Sequence, residues 1–132
     1  MFRLPALNRN LRNEIRKSKK IYFFDNGIRN AIINNFTPLN SRQDVGVLWE
    51  NYMISERLKI SEYRRIHSNR FFWRTVQQQE IDYIEERAGK MWAFEFKFSP
   101  KKQPKFSKTF QRAYPNSNYS IINSTNYPEF LT

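Results

Sequence analysis

The chain has 132 residues, room for one compact domain and no second of ordinary size, and its 39% hydrophobic and 17% aromatic content provides a core to bury. It has no cysteine, which excludes disulfide staples, thiolate zinc sites and cysteine redox chemistry. The formal charge of +11 is uneven: Arg3 to Lys20 holds seven basic residues against Glu14 alone, and Lys97 to Arg112 holds six with no acid.

No apolar run approaches the roughly 18 residues of a membrane span, so no membrane partner and a cytoplasmic location are expected. Basic arms around an acidic centre suit a polyanion, and nucleic acid is the expected partner. In chain order, residues 1–18 read as a basic tail or linker with Pro5, several asparagines and weak periodicity, and residues 19–132 as the folded domain. The stretch "KKIYFFD" reads as a short buried strand, "IRNAII" as a short helix or turn, and Pro38 with Asn40 as a loop. The segment "DVGVLWENYMISERLKI" predicts the main helix over 44–60, with Asp44 as N-cap and Val47, Asn51, Ile54 and Leu58 at helical spacing. Three strands are then expected, "RFFWRTV", "EIDYIEER" and "KMWAFEFKF". Pro100 and Pro104 mark the exit, "KFSKTFQRAY" predicts a helix ended by Pro115, and "NYSIIN" a last strand.

The hairpin "EIDYIEERAGKMWAFEFK" concentrates the chemistry. A two-residue turn at Ala88-Gly89 would set Arg87 against Lys90, Ile84 against Ala93, Asp82 against Glu95 and Glu80 against Lys97. Those side chains would share one face, and the other would carry Ile81, Tyr83, Phe94 and Phe96 as a core face. Like charges directly opposed are destabilising, so Asp82 facing Glu95 is an odd choice for stability alone. A divalent cation between them, Mg2+ or Mn2+, would resolve the repulsion, and Lys97 would sit beside it. An exposed face with ordinary cross-strand charges is the competing reading, as is a place at the polar boundary of the helix for Glu50, which otherwise points a carboxylate inward.

Helix-borne Glu50, then Asp82, then Glu95-Phe96-Lys97 resembles the PD-(D/E)XK nuclease constellation. The order helix, three strands, helix, strand resembles that superfamily's αβββαβ core. Through "KIYFFDNGIRNAI", "DVGVLWENYMISERL", "FFWRT", "QEIDYIEE" and "FEFKFS" the chain is most similar to the domain of unknown function at the C-terminus of many prokaryotic AAA-type ATPases. The resemblance implies a restriction-endonuclease-like α/β fold, a mixed sheet flanked by helices. It implies Asp82 and Glu95 as metal ligands, Lys97 and Glu50 as catalytic residues, and Glu80 as an accessory acid. Ile81 stands where the family name has proline. The resemblance also implies P-loop ATPase and winged-helix partners in a longer parent, from which this chain would be excised or shortened.

Gly27, Gly46 and Gly89 cannot form a P-loop, so the chain is no ATPase by itself. Lys101, Lys102, Lys105, Lys108 and Arg112 are the expected backbone-phosphate contacts. Two other readings use the same fold without cutting: a nucleic-acid or protein-binding module, with Phe2, Phe98, Phe106 or Phe110 docking a partner, and a sensor or dimerisation domain of the parent ATPase. His67, the lone histidine, argues against histidine-based metal binding and a Ser-His-Asp triad, and Trp49, Trp73 and Trp92 are expected in the core.

Overall fold

In a computed structural model, residues 2–16, 18–22 and 45–132 are described. The expected "IRNAII" element, the Pro38–Asn40 loop and the Asp44 cap lie outside them. The elements are β1 (Phe2–Pro5), β2 (Lys19–Tyr22), α1 (Val45–Tyr63), β3 (Asn69–Arg74), β4 (Glu80–Arg87), β5 (Lys90–Phe96), α2 (Lys108–Ala113), β6 (Ser117–Ile122) and α3 (Tyr127–Phe130). From α1 onward the order helix, three strands, helix, strand is as expected. The short α3 is an addition that buries Phe130.

A four-stranded mixed sheet, ordered β3-β4-β5-β6, carries the fold, with helices packed against it. The pairs β3–β4 and β4–β5 are antiparallel, whereas β6 returns parallel to β5, a direction that requires the crossover containing α2. Ser107 caps α2 by accepting the Phe110 N–H at 3.2 Å.

Both faces of the sheet are covered. On one, Met53, Ile54 and Leu58 of α1 pack with Phe72, Tyr83, Phe94, Phe96 and Phe130. On the other, Phe110 and Tyr114 pack with Trp73, Ile81, Ile84, Met91 and Ala93. The single core face expected of the hairpin is therefore corrected, and Ile81 lies across the sheet from Tyr83.

The cause is a β-bulge. Phe71 pairs with Ile84 and Trp73 with Ile81, so Asp82 and Tyr83 together stand opposite Phe72 alone. A bulge of this kind breaks the two-residue alternation and turns the strand. The turn itself is as predicted: Arg87 pairs with Lys90, and Ala88 (φ 52°) and Gly89 (φ 77°) both take the left-handed conformation of a two-residue hairpin loop.

Residues 2–16 do not stand apart as a tail. β1 pairs with β2, and Leu4 and Leu7 are buried. The segment then follows the free edge of β3, with Leu7 N–H donating to Phe72 O and Ile15 N–H to Arg74 O, both at 2.8 Å. An otherwise open strand edge is thereby paired. The lock is Glu14, buried and accepting from Leu11 N at 2.7 Å, Asn10 N at 3.0 Å, and Trp73 Nε1 and Tyr114 Oη at 2.6 Å each. Four donors satisfy this carboxylate, and among the described residues no cation pairs with it.

Candidate functional site

Asp82 and Glu95 lie where β4 and β5 part. Their ladder runs from Arg87–Lys90 to Tyr83–Phe94 and stops there, so Asp82 and Glu95 are not a plain cross-strand pair. Instead Asp82 Oδ2 accepts the backbone N–H of Phe96 at 2.9 Å, taking a donor the ladder would have used. The bulge thus places Asp82 at the mouth of a fork. Glu95 continues the Met91–Ala93 series, on the sheet face that packs against α2.

Glu50 approaches from α1. Its carboxylate is largely buried and pairs with Lys20 of β2, Nζ to Oε1 3.3 Å. Burial, and then the charge of Asp82, push Glu50 up to about 7 against the opposing pull of Lys20. Burial likewise raises Asp82, although the Phe96 N–H, Lys20 and Lys97 favour its charged form. Burial and Asp82 push Glu95 up to about 7, with Lys97 opposing. Asp82 is therefore the electrostatic link between the other two acids.

Two tyrosines share this neighbourhood. Burial raises Tyr22, and the charges of Glu50 and Asp82 add to it. Its buried hydroxyl lies beside the Glu50 carboxylate. Burial and Glu95 raise Tyr119, whose hydroxyl lies 3.5 Å from Pro104 O.

Of the expected site residues, Glu50, Asp82, Glu95 and Lys97 fall in one electrostatic neighbourhood. Glu80 lies at its exposed rim, held by Arg74 Nε at 3.1 Å, so the expected Glu80–Lys97 pairing is not made. Among the described residues no three acidic or histidine side chains are grouped closely enough to hold a metal ion by themselves. Lys101, Lys102, Lys105, Lys108 and Arg112 are all exposed on and before α2. The aromatics considered for docking are otherwise engaged: Phe110 is buried, Phe2 and Phe106 pack against the core, and Phe98 meets Trp49 edge-on.

Lys20, Tyr22 and Tyr119 were not anticipated. The only signal for Lys20 was its place beside a buried strand, since its partner lies thirty residues away in sequence.

The arrangement is a mixed α/β domain in which the broken hairpin ladder leaves half-buried Asp82 between the half-buried acids Glu50 and Glu95, each influenced by its charge. The chain belongs to the family described as Domain of unknown function (DUF4143), whose pattern matches residues 45–130. Two relatives, the uncharacterized proteins Mb2031c of Mycobacterium bovis and Rv2008c of Mycobacterium tuberculosis, are each 27% identical to it over 90 residues, 67% of this chain. The chain spans about a fifth of the length of these relatives, 20% of each. No solved structure matches it. Among the described residues no helix is long and apolar enough to cross a membrane.

Proposed function

We propose that this domain is a PD-(D/E)XK-type, divalent-cation-dependent phosphodiesterase acting on nucleic acid, with a restriction-endonuclease-like core. The observation that carries the reading is Asp82 at the fork between β4 and β5, held by the Phe96 N–H at 2.9 Å, with its charge acting on both Glu50 and Glu95. Partly desolvated carboxylates are oxygen donors of the kind that suits Mg2+ or Mn2+, which take one or two carboxylates and keep several waters. Two carboxylates would be the protein's share of the donor set, with substrate phosphate and water as the further ligands, since among the described residues no three such side chains are grouped.

Asp82 and Glu95 would hold the ion, with Glu50 beside it. When bound, the ion supplies Lewis-acid polarisation of the scissile phosphate. The Phe96 N–H fixes the Asp82 carboxylate in place, so one of its oxygens is oriented before any ligand arrives. Lys97 would orient the attacking water or balance charge on a phosphoryl oxygen. The exposed cations from Lys101 to Arg112 would hold backbone phosphates without reading sequence.

A second reading is favoured by one contact. Lys20 already neutralises part of the cluster through Glu50, as it would in a non-catalytic module that binds nucleic acid or regulates an attached AAA-type ATPase. Titration calorimetry with Mn2+ on the chain and on Asp82→Asn, with and without oligonucleotide, separates the two. Binding that the substitution abolishes supports the phosphodiesterase and leads to a cleavage screen. No binding under either condition sinks it.

A further inference from the structure

We propose that the groove at the hairpin end of the sheet is an oxyanion site for a phosphate-class ligand. Arg65, His67, Ser68, Asn69, Arg70 and Arg87 line an open concavity of about 680 Å3 between the C-terminal end of α1, the start of β3 and the β4–β5 turn. It lies at the opposite end of β4 from Asp82, five residues and roughly 17 Å away at strand rise, so it stands apart from the carboxylate cluster.

Three residues of this lining carry a buried polar atom with no hydrogen-bond partner among the described residues: Ser68 Oγ, Arg70 Nε and Arg87 Nε. Unmet buried donors are costly and mark a place where a partner is missing. The charge balance has the same sign. Two acids line the groove, but Glu86 is taken by both guanidinium nitrogens of Arg9 and by Asn69, leaving Glu62 against three arginines. Arg70 forms no ion pair among the described residues. Arg87 shares Glu85 with Arg57, standing 3.7 Å from the carboxylate that Arg57 holds at 2.9 Å. Arg65 takes a left-handed φ of 56°, which a non-glycine residue adopts at some cost and which re-aims the loop leaving α1.

Guanidinium forks match the oxygens of a phosphate, and the lining contains no phenylalanine, tyrosine or tryptophan on which a base could stack. The recognised chemistry is therefore the phosphoryl group, whether of a small phosphate compound or of a nucleic-acid backbone.

Arg87 lies over the Trp92 ring, 4.3 Å from its centroid, and makes the Trp92 indole a built-in reporter. The experiment follows amide and indole NMR resonances during titration with pyrophosphate and, separately, with a short single-stranded oligodeoxynucleotide, both without divalent metal. Saturable shifts at Trp92 and residues 65–70 are expected, with affinity falling about tenfold in Arg70→Gln, the loss of one charge-assisted bond. Arg65→Ala, on the exposed loop, carries the same test should Arg70→Gln fail to fold. The same shifts from the oligonucleotide identify a backbone phosphate as the source, and shifts from pyrophosphate alone a small compound. No shift with either probe, shifts confined to the lysines from 101 to 108, or equal affinity in both variants would overturn the site.

Discussion

Lys20 Nζ stands 3.3 Å from Glu50 Oε1, an ion pair that ties the N-terminal strand β2 to the first acid of the carboxylate cluster. This ammonium occupies charge space that a divalent cation would otherwise compete for. Lys20→Met is expected to tighten Mn2+ binding about tenfold, because removing a neighbouring cation lowers the repulsion an incoming dication meets. Calorimetry on both chains is the check. Equal affinities would reduce Lys20 to a structural tie, and no binding by either would remove the metal reading itself.

The raised acids make stability depend on pH with a definite sign. Glu50 and Glu95 are pushed from 4.5 to about 7, so the folded chain holds protons that the unfolded chain has released. Their contribution is full below pH 4.5 and is lost as pH rises through about 7. Without metal, the denaturation midpoint should fall between pH 5 and pH 8, and Asp82→Asn should shrink that fall by removing the charge acting on both. A midpoint that rises over this range contradicts the coupling.

Glu85 behaves oppositely. Buried beneath α1, it is desolvated, yet the fork of Arg57, at 2.9 and 3.1 Å, and the Tyr83 hydroxyl, at 2.7 Å, outweigh burial and lower its pKa. Its contribution is present above the unfolded value and is lost as pH falls through the lowered folded value. Arg57→Met would strand the carboxylate and should cost about 3–5 kcal/mol in urea denaturation. A loss under 1 kcal/mol would mean that Arg87 takes over the pairing.

Glu14→Ala removes the common acceptor of four donors, two of them on Trp73 and Tyr114 of the core. A cost of about 3 kcal/mol is expected, with exchange protection lost first at the Leu7 and Ile15 amides along β3. Unchanged protection there would show that β1 and Leu7 alone hold the segment down.

Ala88 carries a side chain in a left-handed conformation that disfavours one. Ala88→Gly should stabilise the hairpin by about 0.5–1 kcal/mol, seen as a higher thermal midpoint, whereas Gly89→Ala should lower it.

The sequence by itself determined the elements whose causes are local. The apolar spacing of Ile54 and Leu58 made α1, and Ala88-Gly89 between two strand-forming runs fixed the Arg87–Lys90 register. Glu50, Asp82, Glu95 and Lys97 were named as a set through the resemblance to PD-(D/E)XK nucleases, and the two-residue period put only Glu95 and Lys97 on one face. What only the tertiary structure decided depends on partners far along the chain. The bulge at Asp82-Tyr83 lies in the pairing of β4 with β3, and nothing in β4 alone announces it. The basic N-terminus looked like a tail because its charges dominate locally. Its lone acid, Glu14, finds Trp73 and Tyr114 across 59 and 100 residues, and those bonds exist only once the sheet is built. Local periodicity fixes which way a side chain points along its own element. Burial and ion pairing between elements fix what it meets there, and that is why Lys20 entered the site unannounced.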